Sequence, residues 1–199
     1  MLCRFPAQIH GNSKIPSVLY YDTNGVVHAI GAEAVQDGIE EIAKESGWMK
    51  ASWYACLRYQ NLALINSGIR FKLHLHPKVI ETAYVSVLNK NPLPEGIPVV
   101  NIFADLLRYL YRCTKEYFEQ SQASGDTLWV SLQKDTHFVL THPNGWGGFQ
   151  QSQMKEAALG AGLVPDMDTA NTNISFVTEG EASLNYCVYN GLSKDAFKV

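Results

Sequence analysis

Charge is scarce in this 199-residue chain: Asp, Glu, Lys and Arg make up 18% of it, against about 25% in an average globular protein. The charge that is present nearly balances, with 16 Lys plus Arg against 19 Asp plus Glu and a formal net charge of −3. Nucleic-acid binders carry a basic excess, so no nucleic-acid partner is expected. Cysteine is sparse as well, with residues only at Cys3, Cys56, Cys113 and Cys187. Their wide spacing excludes a CxxC metal pair, nothing in it looks like a disulfide framework, and all four are expected as reduced, buried small hydrophobes. No apolar run reaches the roughly 18 residues of a membrane span. The first residues, Met1 to Gln8, hold no apolar signal core. A cytoplasmic chain with no membrane partner is the expectation. There is no Walker loop, no GxGxxG, no GxSxG elbow, no HExxH and no internal repeat.

Hydrophobic residues, at 46%, are enough for a packed core and argue against disorder. Ser17 to Tyr21 and Val26 to Ile30 are strand-forming runs about Asp22-Thr23-Asn24-Gly25, which predicts a β-hairpin. Residues 32–46 read as one helix with Val35, Ile39, Ile42 and Ala43 on its apolar face. A loop with Pro92, Pro94 and Pro98 leads into the clearest periodicity, 99–122. There Val99, Phe103, Leu106, Leu107, Leu110, Cys113 or Thr114, and Tyr117 form a stripe at helical spacing. Ser124-Gly125-Asp126 ends it. Strand 137–141, loop 142–148, helix 149–162 with Gly162 as its stop, strand 174–178 and helix 179–190 follow. This alternation is α/β organisation.

Three short patterns carry more than one reading. His74 and His76 fall on one face of an extended strand, where two imidazoles can hold a metal; with no third ligand nearby, surface or partner-facing histidines are the better reading, and no metal is expected. Asn144-Gly145-Trp146-Gly147-Gly148 lacks phosphate-loop spacing and reads as a tight turn before a helix. Asn173-Ile174-Ser175 fits a glycosylation acceptor but falls at a predicted strand, and is set aside.

The block from Phe138 to Leu192 adds a different kind of information. Val139-Leu140-Thr141-His142-Pro143 is followed by a helix ending Ala157-Ala158-Leu159-Gly160-Ala161-Gly162-Leu163-Val164, then by Phe176-Val177-Thr178-Glu179-Gly180-Glu181-Ala182-Ser183-Leu184. In order and spacing this resembles the seventy-kilodalton heat-shock chaperones, nearest to their divergent branch related to the heat-shock twelve-A proteins. Lys14-Ile15-Pro16-Ser17, Gly31-Ala32-Glu33-Ala34 and Phe71-Lys72-Leu73 extend the resemblance upstream. It implies an actin-like ATPase (ribonuclease H-like) lobe with an N-terminal β-hairpin and helices, spanning residues 1–199 as a partial nucleotide-binding domain. Full-length relatives bind and hydrolyse ATP with magnesium.

By position, the resemblance makes Glu179 the carboxylate that orients magnesium-bound or attacking water and Lys72 the cation that approaches the phosphates. It makes Pro143 the turn proline that relays nucleotide state. Plain alternatives stand beside these: a solvated strand lysine and an ordinary turn proline. Cofactor-binding residues beyond these stay unassigned.

The chain departs from the family in two places. Neither glycine-rich phosphate hairpin, of the Asp-x-Gly-Thr-Thr or Asp-x-Gly-Gly-Gly-Thr type, occurs in it. Backbone amides of such hairpins do most of the anion binding. A truncated chain that binds ATP weakly or not at all, and has no appreciable ATPase activity by itself, is therefore expected. The stretch Ala55 to Arg70 is also foreign to the family and reads as a retained intron translated in frame, with a genuine surface loop as the competing reading. The alternative function is a non-enzymatic truncated protein acting through protein partners or self-association, with exposed apolar surface on the sheet as its signature.

Overall fold

The computed structural model describes residues 5–8, 15–52, 69–75 and 93–190. The fold is mixed α/β, built on two small sheets. Strands β1 (Val18–Tyr21) and β2 (Val27–Ile30) form the expected antiparallel hairpin. Its turn is set by Asp22, whose Oδ1 accepts from the backbone N–H of Asn24 at 2.8 Å and of Val26 at 2.9 Å. These bonds favour the ionised carboxylate, the one from Val26 first, and with His28 beside it hold the Asp22 pKa low. Gly25 takes a left-handed φ of 79° that an L side chain resists.

Strand β3 (Met49–Ser52) pairs antiparallel with β1, and β4 (Ile69–Arg70) pairs parallel with β3, giving the order β2-β1-β3-β4. Of the insert 55–70, only Ile69 and Arg70 lie within the described residues, and they form β4. The period of two along β1 divides the core. Leu19 and Tyr21 face the main cluster, whereas Tyr20 faces a smaller one with Ala29, Ala34 and Ala43.

The helix expected over 32–46 is interrupted. A 3₁₀ turn covers Glu33–Val35, and α1 runs only Ile39–Glu45. Gly38 sits at φ 84° between them, a conformation no helix interior contains. Val35 and Ile42, placed on the apolar face by the sequence, are exposed, while Ala43 is buried.

The long helix, α2 (Val99–Ser121), matches its periodicity, with Ile102, Phe103, Leu106, Tyr109 and Cys113 buried. A second helix, α3 (Gly125–Leu132), begins where the sequence suggested only a stop. A Cβ at Gly125 would stand 2.5 Å from the Glu119 carbonyl oxygen, so glycine is what lets the chain reverse there. Then come β5 (Phe138–His142), α4 (Gly148–Gly160), α5 (Met167–Asn173), β6 (Ile174–Thr178) and α6 (Glu179–Asn190).

Gly162, at φ 78°, closes α4 as expected. Its N–H donates to the Leu159 carbonyl and that of Leu163 to the Ala158 carbonyl, the paired bonds of a Schellman motif. The loop 143–147 is a tight turn before a helix, as its sequence indicated: Gly147 N–H donates to Gln150 Oε1 at 3.1 Å. Asn173 Nδ2 donates to the Thr136 carbonyl at 3.3 Å.

Three further expectations are corrected. Phe71-Lys72-Leu73 is not a strand; Phe71–Leu75 is a 3₁₀ turn. The face-sharing argument for His74 and His76 loses its basis at His74, and His76 lies outside the described residues. Cys113 is buried, and burial pushes its thiol pKa up. Cys187 is exposed because α6 buries none of its residues, so the expectation of four buried cysteines fails there. Cys3 and Cys56 lie outside the described residues. Among the described residues, no helix is long and apolar enough to cross a membrane.

Candidate functional site

Strands β5 and β6 run parallel and in register, from Phe138 opposite Ile174 to His142 opposite Thr178. Their carboxyl ends therefore finish side by side. Open α/β sheets offer ligand sites at this edge, where successive loops diverge into helices. Pro143 follows His142, and Glu179 follows Thr178, so both residues picked out by sequence stand at adjacent strand ends.

The β6 end is fixed by a capping box. Thr178 donates to Glu181 Oε2 from its backbone N–H and from Oγ1, each at 2.8 Å, and the Glu181 N–H donates back to Thr178 Oγ1 at 3.1 Å. The Thr178 N–H, then its hydroxyl, and more distantly His142 hold the Glu181 carboxyl below the usual carboxylate range. Glu179 thereby becomes the first residue of α6, where the helix macrodipole favours a negative charge. Asn144 covers this turn: a Cβ at Gly180 would lie 3.5 Å from both of its side-chain amide atoms, an ordinary van der Waals contact.

Lys72 reaches this edge from the 3₁₀ turn. Phe71 beside it is fully buried and meets Phe103 edge-on at 5.1 Å; Phe103 in turn meets Trp146 of the β5–α4 loop. The turn is thus anchored by aromatic packing to the same loop that leaves β5. Lys72 Nζ donates to Glu179 Oε1 at 2.6 Å across 107 residues of sequence. The lysine side chain is 11% exposed and the glutamate 39%, so one charge is nearly desolvated and the other still meets water. A buried ammonium demands an anionic or hydrogen-bonding partner, and Glu179 is one.

His142 completes the floor. It is buried, and a carbonyl can only accept, so Nδ1 carries the proton that bonds Pro143 O at 2.8 Å. Gln151 Nε2 then donates to Nε2 at 3.2 Å, and the ring stacks on Trp146. The Pro143 carbonyl also accepts from the Trp146 N–H.

Two of the three sequence-derived residues, Lys72 and Glu179, are in direct contact. Pro143 lies at the neighbouring strand end. Sequence reasoning did not assign roles to Thr178, Glu181, His142, Asn144 and Gln151. The Thr-x-x-Glu spacing of 178–181 was a legible capping signal; the others become neighbours only through the fold. Among the described residues, no cluster of three or more His, Cys, Asp or Glu groups could hold a metal ion.

The class these features define is a mixed α/β protein with a Lys–Glu pair at the carboxyl edge of a parallel strand pair. No family model matches the chain, and no curated protein or solved structure does so either.

Proposed function

We propose that the chain is part of an actin-like, ribonuclease H-like ATPase domain of the seventy-kilodalton heat-shock type, with Lys72 and Glu179 at the phosphate end of its nucleotide site. The observation that supports this is one contact. The two residues nominated by resemblance, 107 apart in sequence, meet at 2.6 Å. The donor chemistry fits the group: an ammonium for phosphate oxygens, and a carboxylate for water held by a hard cation that keeps much of its hydration. When bound, ATP with magnesium supplies the transferable phosphoryl group and the neutralising cation.

The residues themselves do the rest. Lys72 sits in a water-poor setting, where attraction to an anion is stronger than in bulk solvent, and a phosphate oxygen has to share its ammonium with the Glu179 carboxylate. Glu179, held at the helix start by the Thr178–Glu181 box, orients a water through its carboxylate oxygens. Pro143 shares the strand end, so a shift of β5 against β6 moves Pro143 relative to Glu179. The 199 residues include neither glycine-rich phosphate hairpin. Lys72 lacks that support, and binding is accordingly weak.

Calorimetric titration with magnesium–ATP tests the reading. A weak saturable heat that disappears in Lys72→Met supports it; identical titrations of the two proteins overturn it. A second reading, a non-enzymatic protein acting through partners or self-association, draws on a different observation. Val139 on the outer face of β5 and Leu184, Tyr186, Val188 and Tyr189 of α6 are exposed. Parallel sheets are usually covered on both faces, and α6 buries none of its residues. No nucleotide heat together with concentration-dependent self-association in sedimentation favours this second reading.

A further inference from the structure

A cavity of about 400 Å³ lies between the hairpin turn, the loop before α2, the first half of α2 and the last residue of α4. It shares no lining residue with the Lys72–Glu179 site. Its volume falls within the range of small-molecule sites. Four polar side chains face it: Asn24, Asn101, Asp105 and Arg108.

The charges in the lining are already balanced. Arg108 pairs with Asp105 through Nη1 and donates to the Gly160 carbonyl from Nη2 at 2.6 Å. Asp105 Oδ2 also accepts from the hydroxyl of the fully buried Tyr21 at 3.0 Å. Burial, and then the Asp105 carboxylate, push the Tyr21 phenol pKa up, so it remains a donor. The Arg108–Gly160 bond ties α2 to the end of α4 and fixes the guanidinium. An ionic ligand would lose hydration here without meeting an unmatched charge.

Hydrogen-bonding capacity, by contrast, is in surplus. A guanidinium carries five N–H donors, and Arg108 commits Nη1 and Nη2 to one bond each. Among the described residues, the side-chain amides of Asn24 and Asn101 make no hydrogen bond. Each offers donors and an acceptor. Two wall positions are glycines in left-handed conformations, Gly25 at φ 79° and Gly96 at φ 76°, which keeps side chains out of the cavity wall. Ile97 and Ala104 supply a small apolar surface.

We propose that this cavity binds a small neutral molecule rich in hydroxyl or amide groups, of about monosaccharide size. Neutrality follows from the matched Arg108–Asp105 pair, and the need for both donors and acceptors from the two asparagine amides beside the guanidinium.

The test is a two-dimensional amide NMR titration of the full chain with glucose and with nicotinamide as neutral probes, and with inorganic phosphate as the charged one. Saturable shifts at Gly25, Gly96 and Gly160 with a neutral probe, and none there with phosphate, are expected. Asn101→Leu, at an exposed helix position outside the ion pair, is expected to weaken binding about tenfold while leaving the rest of the spectrum in place. Arg108→Lys is expected to weaken binding similarly without removing the charge, read at Gly25 and Gly96 because it also gives up the Arg108–Gly160 tie. Absence of saturable shifts at those glycines with both neutral probes, or phosphate shifting them as strongly, overturns the proposal. Binding unaltered in Asn101→Leu and Arg108→Lys also overturns it.

Discussion

Replacing Glu179 with glutamine isolates the electrostatic part of the central contact. The side chain keeps its size and one oxygen acceptor but loses its charge, leaving the Lys72 ammonium, 11% exposed, without its carboxylate at 2.6 Å. Removing one partner of a fully buried ion pair costs about 3–5 kcal/mol, and an exposed pair contributes about 0–1 kcal/mol. Glu179 is 39% exposed, so the pair lies between these limits, and about 2 kcal/mol is expected. Lys72→Met removes the ammonium and leaves an apolar chain of similar reach. The double variant Lys72→Met/Glu179→Gln is therefore expected to regain most of the loss. Urea denaturation followed by circular dichroism measures this: the midpoint of Glu179→Gln falls, its slope is unchanged, and the double variant returns towards the parent. If Glu179→Gln lies within about 0.5 kcal/mol of the parent, the level of an ordinary surface substitution, the contact is a solvated surface pair and the reasoning fails.

Phe71 anchors the turn that carries Lys72, and Phe71→Ala is expected to cost about 3–5 kcal/mol in the same urea assay. Thr178→Ala breaks the capping box and is expected to lower stability at neutral pH. The Glu181 carboxyl has a lowered pKa in the folded state, so its contribution is present above the unfolded-state pKa and is lost as pH falls through the folded one. Thr178→Ala removes the hydroxyl but keeps the backbone N–H that lowers the Glu181 pKa most. It should therefore flatten the loss of stability on acidification only in part, whereas Glu181→Gln should remove that dependence. An acid limb unchanged in Glu181→Gln would refute the box. Gly162→Ala, where a Cβ would meet nothing within 4 Å but φ is 78°, is expected to cost about 1–2 kcal/mol from backbone conformation alone. Gly31→Ala, at φ 66° with the Tyr109 ring 3.1 Å from the new Cβ, should cost more; thermal melts rank the two.

The parts of the fold legible in sequence are those with strong local signals. The hairpin follows from a turn that one aspartate can organise, and α2 follows from a stripe long enough to survive any single residue. Strand β3 was not legible, because Met49-Lys50-Ala51-Ser52 has no β-branched residue and owes its extension to pairing with β1. Helix α5 was missed for a similar reason. Its Thr and Asn content is poor for helix, and it depends on Asp166 accepting the Thr169 N–H at 2.7 Å. At 32–46 the apolar pattern outran the backbone, since Gly38 breaks a helix that the periodicity alone would continue. At the site, resemblance named Lys72, Glu179 and Pro143, but nothing local tells a reader that residues 72 and 179 touch. That contact depends on Phe71 packing on Phe103 and on the register of β5 with β6.

The central claim is that Lys72 and Glu179 form the phosphate end of a nucleotide site. Titrating the isotope-labelled chain with manganese–ATP, the paramagnetic counterpart of the magnesium complex, tests it most directly. Saturable broadening of the amides of residues 72, 144 and 178–181, removed by excess magnesium–ATP and absent in Lys72→Met, is the predicted result. Broadening centred elsewhere in the chain, or the same pattern in Lys72→Met, would contradict it.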